Sequence, residues 1–210
     1  MLMEAAQFEL LSALEEVAEE IRAEAAALRA SDYVVWPDRA AYTGTWLTFP
    51  LALRTYPDSL VVDLAAHRAL CPQTSRVLDC HPRIFAAGFS RMEPGCHILP
   101  HVDKKEPNVL RAHLALKTGQ HSVMRVAESL HHWVDGQALI FDALIDHETI
   151  NLGSEDRLVL MFDFEMTEDE LAYAKRFNST VDPRFFSPAS VNIPFGEVFA
   201  QSDCEMSPMD

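Results

Sequence analysis

The chain has 210 residues, with 17 Lys and Arg against 32 Asp and Glu, so its formal net charge at pH 7 is −15. Apolar residues make up 49% and charged residues 23%, which is typical of a soluble globular protein rather than a fibrous or disordered one. The acidic charge argues against binding to the phosphate backbone of nucleic acids and to an anionic membrane surface. The length predicts one domain over residues 1–177, followed by a flap or tail over residues 178–210.

The start of the chain, MLMEAAQFELLSALEEVAEE, lacks the basic residues and compact apolar run of a signal peptide. No stretch approaches the roughly 18 apolar residues that span a bilayer. The four cysteines form no CxxC motif and show no zinc-site spacing. A disulfide between Cys71 and Cys80 is conceivable, but reduced thiols in a cytoplasmic protein are the default expectation.

Residues 4–29 repeat apolar side chains at steps of three and four, which predicts one amphipathic helix packed against a core. Its apolar stripe consists of Phe8, Leu11, Leu14, Val17, Ile21, Ala25 and Leu28. Residues 31–57 alternate aromatic residues with Pro and Gly, a pattern typical of short strands and turns. Residues 58–82 mix a short helical pattern, residues 60–70, with loop.

From residue 84 to residue 165 the pattern favours β structure. Predicted strands cover residues 84–92, 96–102, 110–117, 122–126, 138–141 and 158–164, with turn signals at Pro94-Gly95 and Asp135-Gly136. Short strands at this spacing predict a mainly β fold with flanking helices, of the jelly-roll or double-stranded β-helix kind. Thr167, followed by three acidic residues, predicts the start of a further helix.

His101 and Asp103 are the first two residues of a candidate metal site. They stand two apart in a predicted strand, so their side chains share one face. His147 follows 44 residues after Asp103. Two histidines and one carboxylate form the triad of non-haem Fe(II) oxygenases, which leaves positions open for a co-substrate and O₂. The pattern predicts an Fe(II) site at these three residues.

Arg157 lies ten residues after His147, at the start of the apolar strand RLVLMFDF. A buried guanidinium there is suited to bind a carboxylate in bidentate fashion, and the distal carboxylate of 2-oxoglutarate is the obvious candidate. The HxD…H pattern alone is weak, because such triplets arise by accident in a chain with nine histidines. The strand contexts and Arg157 favour the metal over a hydrogen-bonded His–Asp pair.

Four ordered blocks, SRMEPGCHILPHVD, LRAHLAL, DGQALIFDALIDHE and DRLVLMFDFE, resemble the aspartyl/asparaginyl β-hydroxylase family over roughly residues 70–166. The resemblance implies a double-stranded β-helix core, with Fe(II) as cofactor and 2-oxoglutarate and O₂ as co-substrates. It implies that His101 and His147 are iron ligands and that Arg157 holds the 2-oxoglutarate carboxylate. It places the other co-substrate contacts at Ser90, Met92 and His113, with Arg111 two residues before His113.

One departure from the family pattern concerns Asp103. The animal enzyme that names the family has glycine at this position, whereas many bacterial relatives have the carboxylate. A complete triad also disfavours a halogenase, which normally lacks this ligand to make room for chloride. The resemblance therefore favours hydroxylation.

Several other polar and aromatic residues have two open interpretations. His97 is more readily explained by a hydrogen bond in the core than by a role near the metal. Asp142 and Asp146 either orient the ring of His147 or are exposed acids of a turn. Three aromatic residues either line a substrate entrance or form a buried cluster: Trp36, Tyr42 and Trp46.

The substrate is the least determined feature. Related sequences hydroxylate peptidyl Asp or Asn, free or carrier-bound amino acids, and lipid acyl chains. The lack of a membrane segment disfavours the lipid, and we expect a small molecule, an amino acid or a derivative of one. The alternatives are a peptidyl Asp/Asn hydroxylase, a non-catalytic cupin-type binding module and a metal-dependent isomerase that does not use 2-oxoglutarate.

Overall fold

The computed structural model describes residues 2–53, 62–103 and 106–186. In chain order, the strands of these residues are β1 (Val34–Val35), β2 (Tyr42–Thr43), β3 (Trp46–Leu53), β4 (Ile84–Met92), β5 (His97–His101), β6 (Val109–Lys117), β7 (Ser122–Val126), β8 (Ser129–His131), β9 (Ala138–Phe141), β10 (His147–Asn151) and β11 (Arg157–Glu165). The α-helices are α1 (Glu9–Glu15), α2 (Ala18–Ala27), α3 (Leu64–Leu70), α4 (Pro72–Cys80) and α5 (Glu168–Asn178).

The strands form two antiparallel sheets. The larger sheet has the order β1-β3-β4-β11-β6-β9 and the smaller has the order β2-β5-β10-β7-β8. This arrangement confirms the predicted mainly β, double-stranded β-helix fold. All six predicted strands between residues 84 and 165 are present, three of them with the predicted bounds. The sequence patterns missed β8 and β10, and β10 begins at the candidate ligand His147.

Helices cover the outer face of the larger sheet. Alternate residues of β4, β6 and β11, such as Phe89, Leu114 and Leu160, pack with the apolar stripe of the N-terminal segment in one core. The opposite residues of the same strands face the smaller sheet. Two further apolar clusters join the two sheets there, one around Phe141 and the other around Trp46. The polar residues of the candidate site belong to this inner face.

The prediction of one helix over residues 4–29 was wrong, although its stripe is buried as expected except for the partly buried Val17 and Leu28. The chain leaves helical geometry at Val17, where φ is −113° and ψ is 17°, and α1 and α2 are separate helices. No Gly or Pro marks this break. It follows from tertiary contacts: Met3 donates its N–H to the carbonyl of Ile140 in β9, whereas α2 packs on β6 and α4.

Helix α4 was not predicted as a separate element. Its first residue, Pro72, is a common helix start, but Cys71 before it supplies no side-chain cap. The carboxylate of Glu24 in α2 accepts hydrogen bonds from the backbone N–H groups of Gln73 and Thr74 instead. Helix α3 begins at Leu64 after an Asp63 cap, and the predicted helix start at residues 60–61 lies outside the described residues.

The C-terminal part begins as predicted, because Thr167 and Glu170 form a capping box at the start of α5. Residues 179–186 of the predicted flap pack on the barrel: Phe185 is buried, and its carbonyl accepts a hydrogen bond from the N–H of Asp146. Residues 187–210 lie outside the described part.

Cys71 and Cys80 are both free, so the conceivable disulfide is absent, and Cys96 is buried in an apolar cluster. None of the described helices combines the length and apolar character needed to cross a bilayer.

Candidate metal and co-substrate site

The smaller sheet brings His101, Asp103 and His147 together. His101 is the last residue of β5 and pairs directly with His147, the first residue of β10. Asp103 follows β5 and donates its N–H to the carbonyl of Ala143, which holds it beside the pair. One potential ligand atom from each of the three side chains lies within 4.8 Å of the other two. The spacing that suggested a metal triad in the sequence therefore corresponds to one compact group.

Backbone hydrogen bonds determine which nitrogen each imidazole presents. Nδ1 of His101 donates to the carbonyl of Leu99 over 2.7 Å, and Nδ1 of His147 donates to the carbonyl of Ile145 over 2.8 Å. Because a carbonyl oxygen only accepts, each neutral ring keeps its lone pair on Nε2. Burial, and then the neighbouring His101, lower the pKa of His147 to about 3. Both rings are thus prepared as metal ligands.

Arg111 fixes the carboxylate of Asp103. Its Nη1 donates to Oδ2 of Asp103, while Nε and Nη2 donate to the two carboxylate oxygens of Asp163 at 2.9 and 3.1 Å. Burial alone would lower the pKa of Arg111, but the two carboxylates raise it above its ordinary value. Oδ1 of Asp103 lies 3.9 Å from Nε2 of His101. The structure thus places Arg111 at the metal end of the site, and its role as a co-substrate contact stays a prediction.

Arg157 lies on the inner face of the larger sheet with the other predicted co-substrate residues. Its Nη1 lies 3.4 Å from Oγ of Ser90 and 3.8 Å from Sδ of Met92, and its Nη2 donates to Nδ1 of His113 over 3.2 Å. The strand register explains this grouping, because Arg157 pairs with Met92 and His113 pairs with Met161. The structure therefore brings all four residues together.

The surroundings of Arg157 fit an anion. Its side chain is fully buried, and among residues 2–53, 62–103 and 106–186 its Nε has no hydrogen-bond partner and none of its hydrogen-bond contacts is a carboxylate. Burial lowers its pKa to about 9. A buried cation in these conditions is stabilised by a negatively charged ligand. A carboxylate that binds here would form the charge-assisted hydrogen bonds that the described protein groups leave unmade.

One aromatic ring contacts both the metal group (His101, Asp103 and His147) and the Arg157 group (Ser90, Met92, His113 and Arg157). The ring of Phe141 in β9 lies 5.0 Å from that of His147 and 5.4 Å from that of His113. Phe141 thus contacts both a candidate metal ligand and the imidazole to which Arg157 hydrogen-bonds. The donor set also fits ferrous iron, because two imidazoles and one carboxylate leave positions open for further ligands. The residues present thus fit both Fe(II) and a dicarboxylate such as 2-oxoglutarate.

A cavity of about 510 Å³ borders the metal group. Its polar lining includes His101, Asp103 and Arg111, and its apolar lining includes Trp36, Trp46, Ile98 and Met161. The indole rings of Trp36 and Trp46 stack with centroids 4.5 Å apart, and the hydroxyl of Tyr42 donates to the carbonyl of Trp36. Tyr42 and Trp46 are buried, as expected of an aromatic cluster, and Trp36 and Trp46 line the cavity, whose role as a substrate entrance stays a prediction.

The structure decides the remaining histidine and carboxylates. Nε2 of His97 bonds the carboxylate of Glu148 over 2.8 Å, which confirms the expected core hydrogen bond. Asp142 and Asp146 are both buried, so neither is an exposed acid of a turn. Asp142 accepts from Leu144 N–H and Asn178 Nδ2, and Asp146 pairs with Arg125. The carbonyl of Ile145 accepts from Nδ1 of His147.

The comparison with protein families identifies the chain. The model of the family described as Aspartyl/Asparaginyl beta-hydroxylase matches residues 15–167. The chain belongs to the aspartyl/asparaginyl β-hydroxylase family. The match includes every residue of the metal group and the Arg157 group described above, and it confirms the resemblance seen in the sequence.

Among curated proteins, the ornithine lipid ester-linked acyl 2-hydroxylase of Rhizobium tropici is 37% identical over 97 residues, which is 45% of this family member. The alignment covers 34% of that enzyme, so the chain spans about a third of the length of the curated relative it matches. A Burkholderia pseudomallei oxidoreductase of the 2OG-Fe(II) oxygenase family is similar at a TM-score of 0.47, with 14% identity over 79% of this chain and 93% of that chain. A Pseudomonas putida prolyl-4-hydroxylase is similar at a TM-score of 0.45, with 17% identity over 75% of this chain and 99% of that chain.

Proposed function

We propose that this protein is an Fe(II)- and 2-oxoglutarate-dependent dioxygenase that hydroxylates an unactivated C–H bond of a small molecule. Membership of a hydroxylase family supports the reaction class. The observation that carries the co-substrate is the fully buried Arg157, which has no carboxylate partner in the described chain. Its neighbour His113 and the candidate ligand His147 both contact the ring of Phe141. A binding module has no need for the open metal positions, and a simple metal isomerase has no need for Arg157.

The residues divide the work in the following way. His101, Asp103 and His147 would hold the metal, and Arg157, with Ser90, would hold the distal carboxylate of 2-oxoglutarate. When bound, the iron and 2-oxoglutarate supply the oxidative chemistry that uses O₂. Arg111 keeps the Asp103 carboxylate in place, and Asp103 fills the ligand position that a halogenase leaves for chloride. The apolar residues around Phe141 exclude water from the interior between the sheets.

The test is an anaerobic titration of metal-free protein with Fe(II) and then with 2-oxoglutarate. We expect the visible charge-transfer band of an iron-chelated 2-oxoacid, and we expect His101→Ala to abolish it. Tyr33→Phe, on the other face of the larger sheet, is the control and should keep the band. If iron binds without the band, 2-oxoglutarate is not the co-substrate and the isomerase becomes the better hypothesis.

For the substrate we propose an amino acid or an amino-acid-derived small molecule that enters through the cavity beside Trp36. A second candidate is an acyl chain of an amino-acid lipid, which the relationship to the Rhizobium tropici enzyme favours, together with the apolar lining of the cavity. Incubation of the iron-loaded enzyme with free amino acids and with ornithine lipids, followed by mass spectrometry, separates them. The true substrate gains one oxygen atom. In a control reaction without 2-oxoglutarate its mass should not change.

A further inference from the structure

Trp133 is a buried residue that no sequence pattern connected with the site. It follows β8, and only 6% of it is exposed to solvent. The guanidinium carbon of Arg157 lies over its indole ring, 4.2 Å from the centroid, and the ring of His113 stacks with it at 6.1 Å. Trp133 therefore forms one wall of the Arg157 group.

The indole N–H of Trp133 has no hydrogen-bond partner among the described residues, although it is buried. A buried tryptophan N–H usually finds an acceptor. Trp46, on the other side of the site, follows this rule and donates its Nε1–H to Oγ of Ser90 over 3.0 Å. Nε of Arg157 is a second buried donor without a partner in the described part of the chain. Two N–H donors that the described residues leave unsatisfied thus lie on side chains in direct contact, and no described carboxylate pairs with Arg157.

We propose that Trp133 is a co-substrate-binding residue, whose indole N–H donates to the same carboxylate that Arg157 binds. This inference rests on the proposed function and assigns a specificity role to a residue of the same site. One carboxylate has two oxygens and enough lone pairs to accept from both side chains. The indole face stabilises the guanidinium by a cation–π contact, and the indole edge adds a hydrogen bond for an anion. Trp133 thereby helps to select a 2-oxoacid with a second carboxylate.

The test compares 2-oxoglutarate with 2-oxopentanoate, in which a methyl group replaces the distal carboxylate. Dissociation constants come from the anaerobic charge-transfer band of the Fe(II) protein. Trp133→Phe keeps an aromatic ring at this position but removes the N–H together with part of the buried indole, and 2-oxopentanoate controls for that loss of volume. We expect it to weaken 2-oxoglutarate about tenfold or more, the effect of one hydrogen bond to a charged group, and to change 2-oxopentanoate less than about twofold. The control Tyr33→Phe should change neither constant.

An equal loss for both 2-oxoacids would overturn the proposal, because a purely structural role weakens the site without regard to the distal carboxylate. An unchanged affinity for 2-oxoglutarate in Trp133→Phe would overturn it as well. If the wild-type protein binds 2-oxoglutarate and Trp133→Phe binds it equally well, the proposed function stands and only the role of Trp133 fails. If the wild-type protein gives no band, the proposed function itself fails, and this inference fails with it.

A second measurement does not depend on the folding of a Trp133 variant. The chain has three tryptophans, so the Zn(II) protein labelled with 5-fluorotryptophan gives three fluorine resonances. Trp36→Phe and Trp46→Phe assign two of them by elimination. We expect 2-oxoglutarate to shift the Trp133 resonance, and 2-oxopentanoate to shift it much less. Equal shifts with both compounds would contradict a hydrogen bond to the distal carboxylate.

Discussion

Arg157 and Arg125 are equally buried, since each exposes about 1% of its surface, but their partners differ. Arg125 in β7 forms ion pairs with Asp146 and Glu148, which flank His147, and it also donates to the carbonyl of Ala127. Arg157 has no carboxylate partner in the described chain. The same substitution, Arg to Met, keeps most of the side-chain volume and removes the charge. We therefore expect it to change stability in opposite directions at the two positions.

The magnitudes follow from the partners. The fall in the pKa of Arg157 from 12.5 to about 9 corresponds to a desolvation cost of up to about 5 kcal/mol, which no carboxylate of the described residues offsets. Allowing for the hydrogen bonds that Arg157→Met also loses, we expect this variant to stabilise the metal-free protein by about 1–4 kcal/mol. Arg125→Met leaves Asp146 and Glu148 buried without their cation. Burial already raises the pKa of Asp146 with Arg125 present, and we expect a loss of about 3–5 kcal/mol.

Urea denaturation and thermal melts of the metal-free variants measure these changes, and each kcal/mol shifts the melting temperature of a chain of this size by about 2–4 °C. In the Zn(II) protein, 2-oxoglutarate at about 100 times its dissociation constant should stabilise the wild type by about 2.7 kcal/mol and leave Arg157→Met unchanged. If Arg157→Met destabilises the metal-free protein and the variant still responds normally to 2-oxoglutarate, the argument is refuted. Arg157 would then be neither an uncompensated charge nor the binding residue for the carboxylate.

Three further predictions concern pH, the metal and a helix cap. The pKa of His147 is about 3 in the folded protein and about 6.5 in the unfolded chain, so between these pH values only the unfolded chain binds the extra proton. The metal-free protein should therefore lose about 2 kcal/mol of stability between pH 7 and pH 5. His147→Gln should lack this part of the loss in urea titrations. Arg111→Lys should weaken Fe(II) binding about 10–100-fold in competition with a chelator, and an affinity equal to that of the wild type would show that Arg111 does not hold Asp103. Thr167→Ala should cost about 1 kcal/mol in thermal melts, whereas Thr167→Ser should keep the cap of α5 and most of the stability.

The amino-acid sequence determined the features that repeat at a local period. β4, β6, β9 and β11 are short runs rich in apolar residues, with polar residues at alternate positions in part of β6, so these strands of the larger sheet were predictable. The two-residue spacing of His101 and Asp103 placed both side chains on one face for the same reason. The capping box at Thr167 is a local signal as well, and the structure has it at the predicted residues.

Only the tertiary structure decided the features in which distant residues satisfy one another. The sequence of β10, HETIN, is polar and was not recognised as a buried strand. Glu148 is completely buried there because its carboxylate pairs with Arg125 of the neighbouring strand. Glu24 supplies the cap of α4 from 49 residues away. The helical geometry is interrupted at Val17, although no Gly or Pro in the sequence signals a break there. Burial and pairing across strands have no period in the sequence, so they become visible only when the two sheets are brought together.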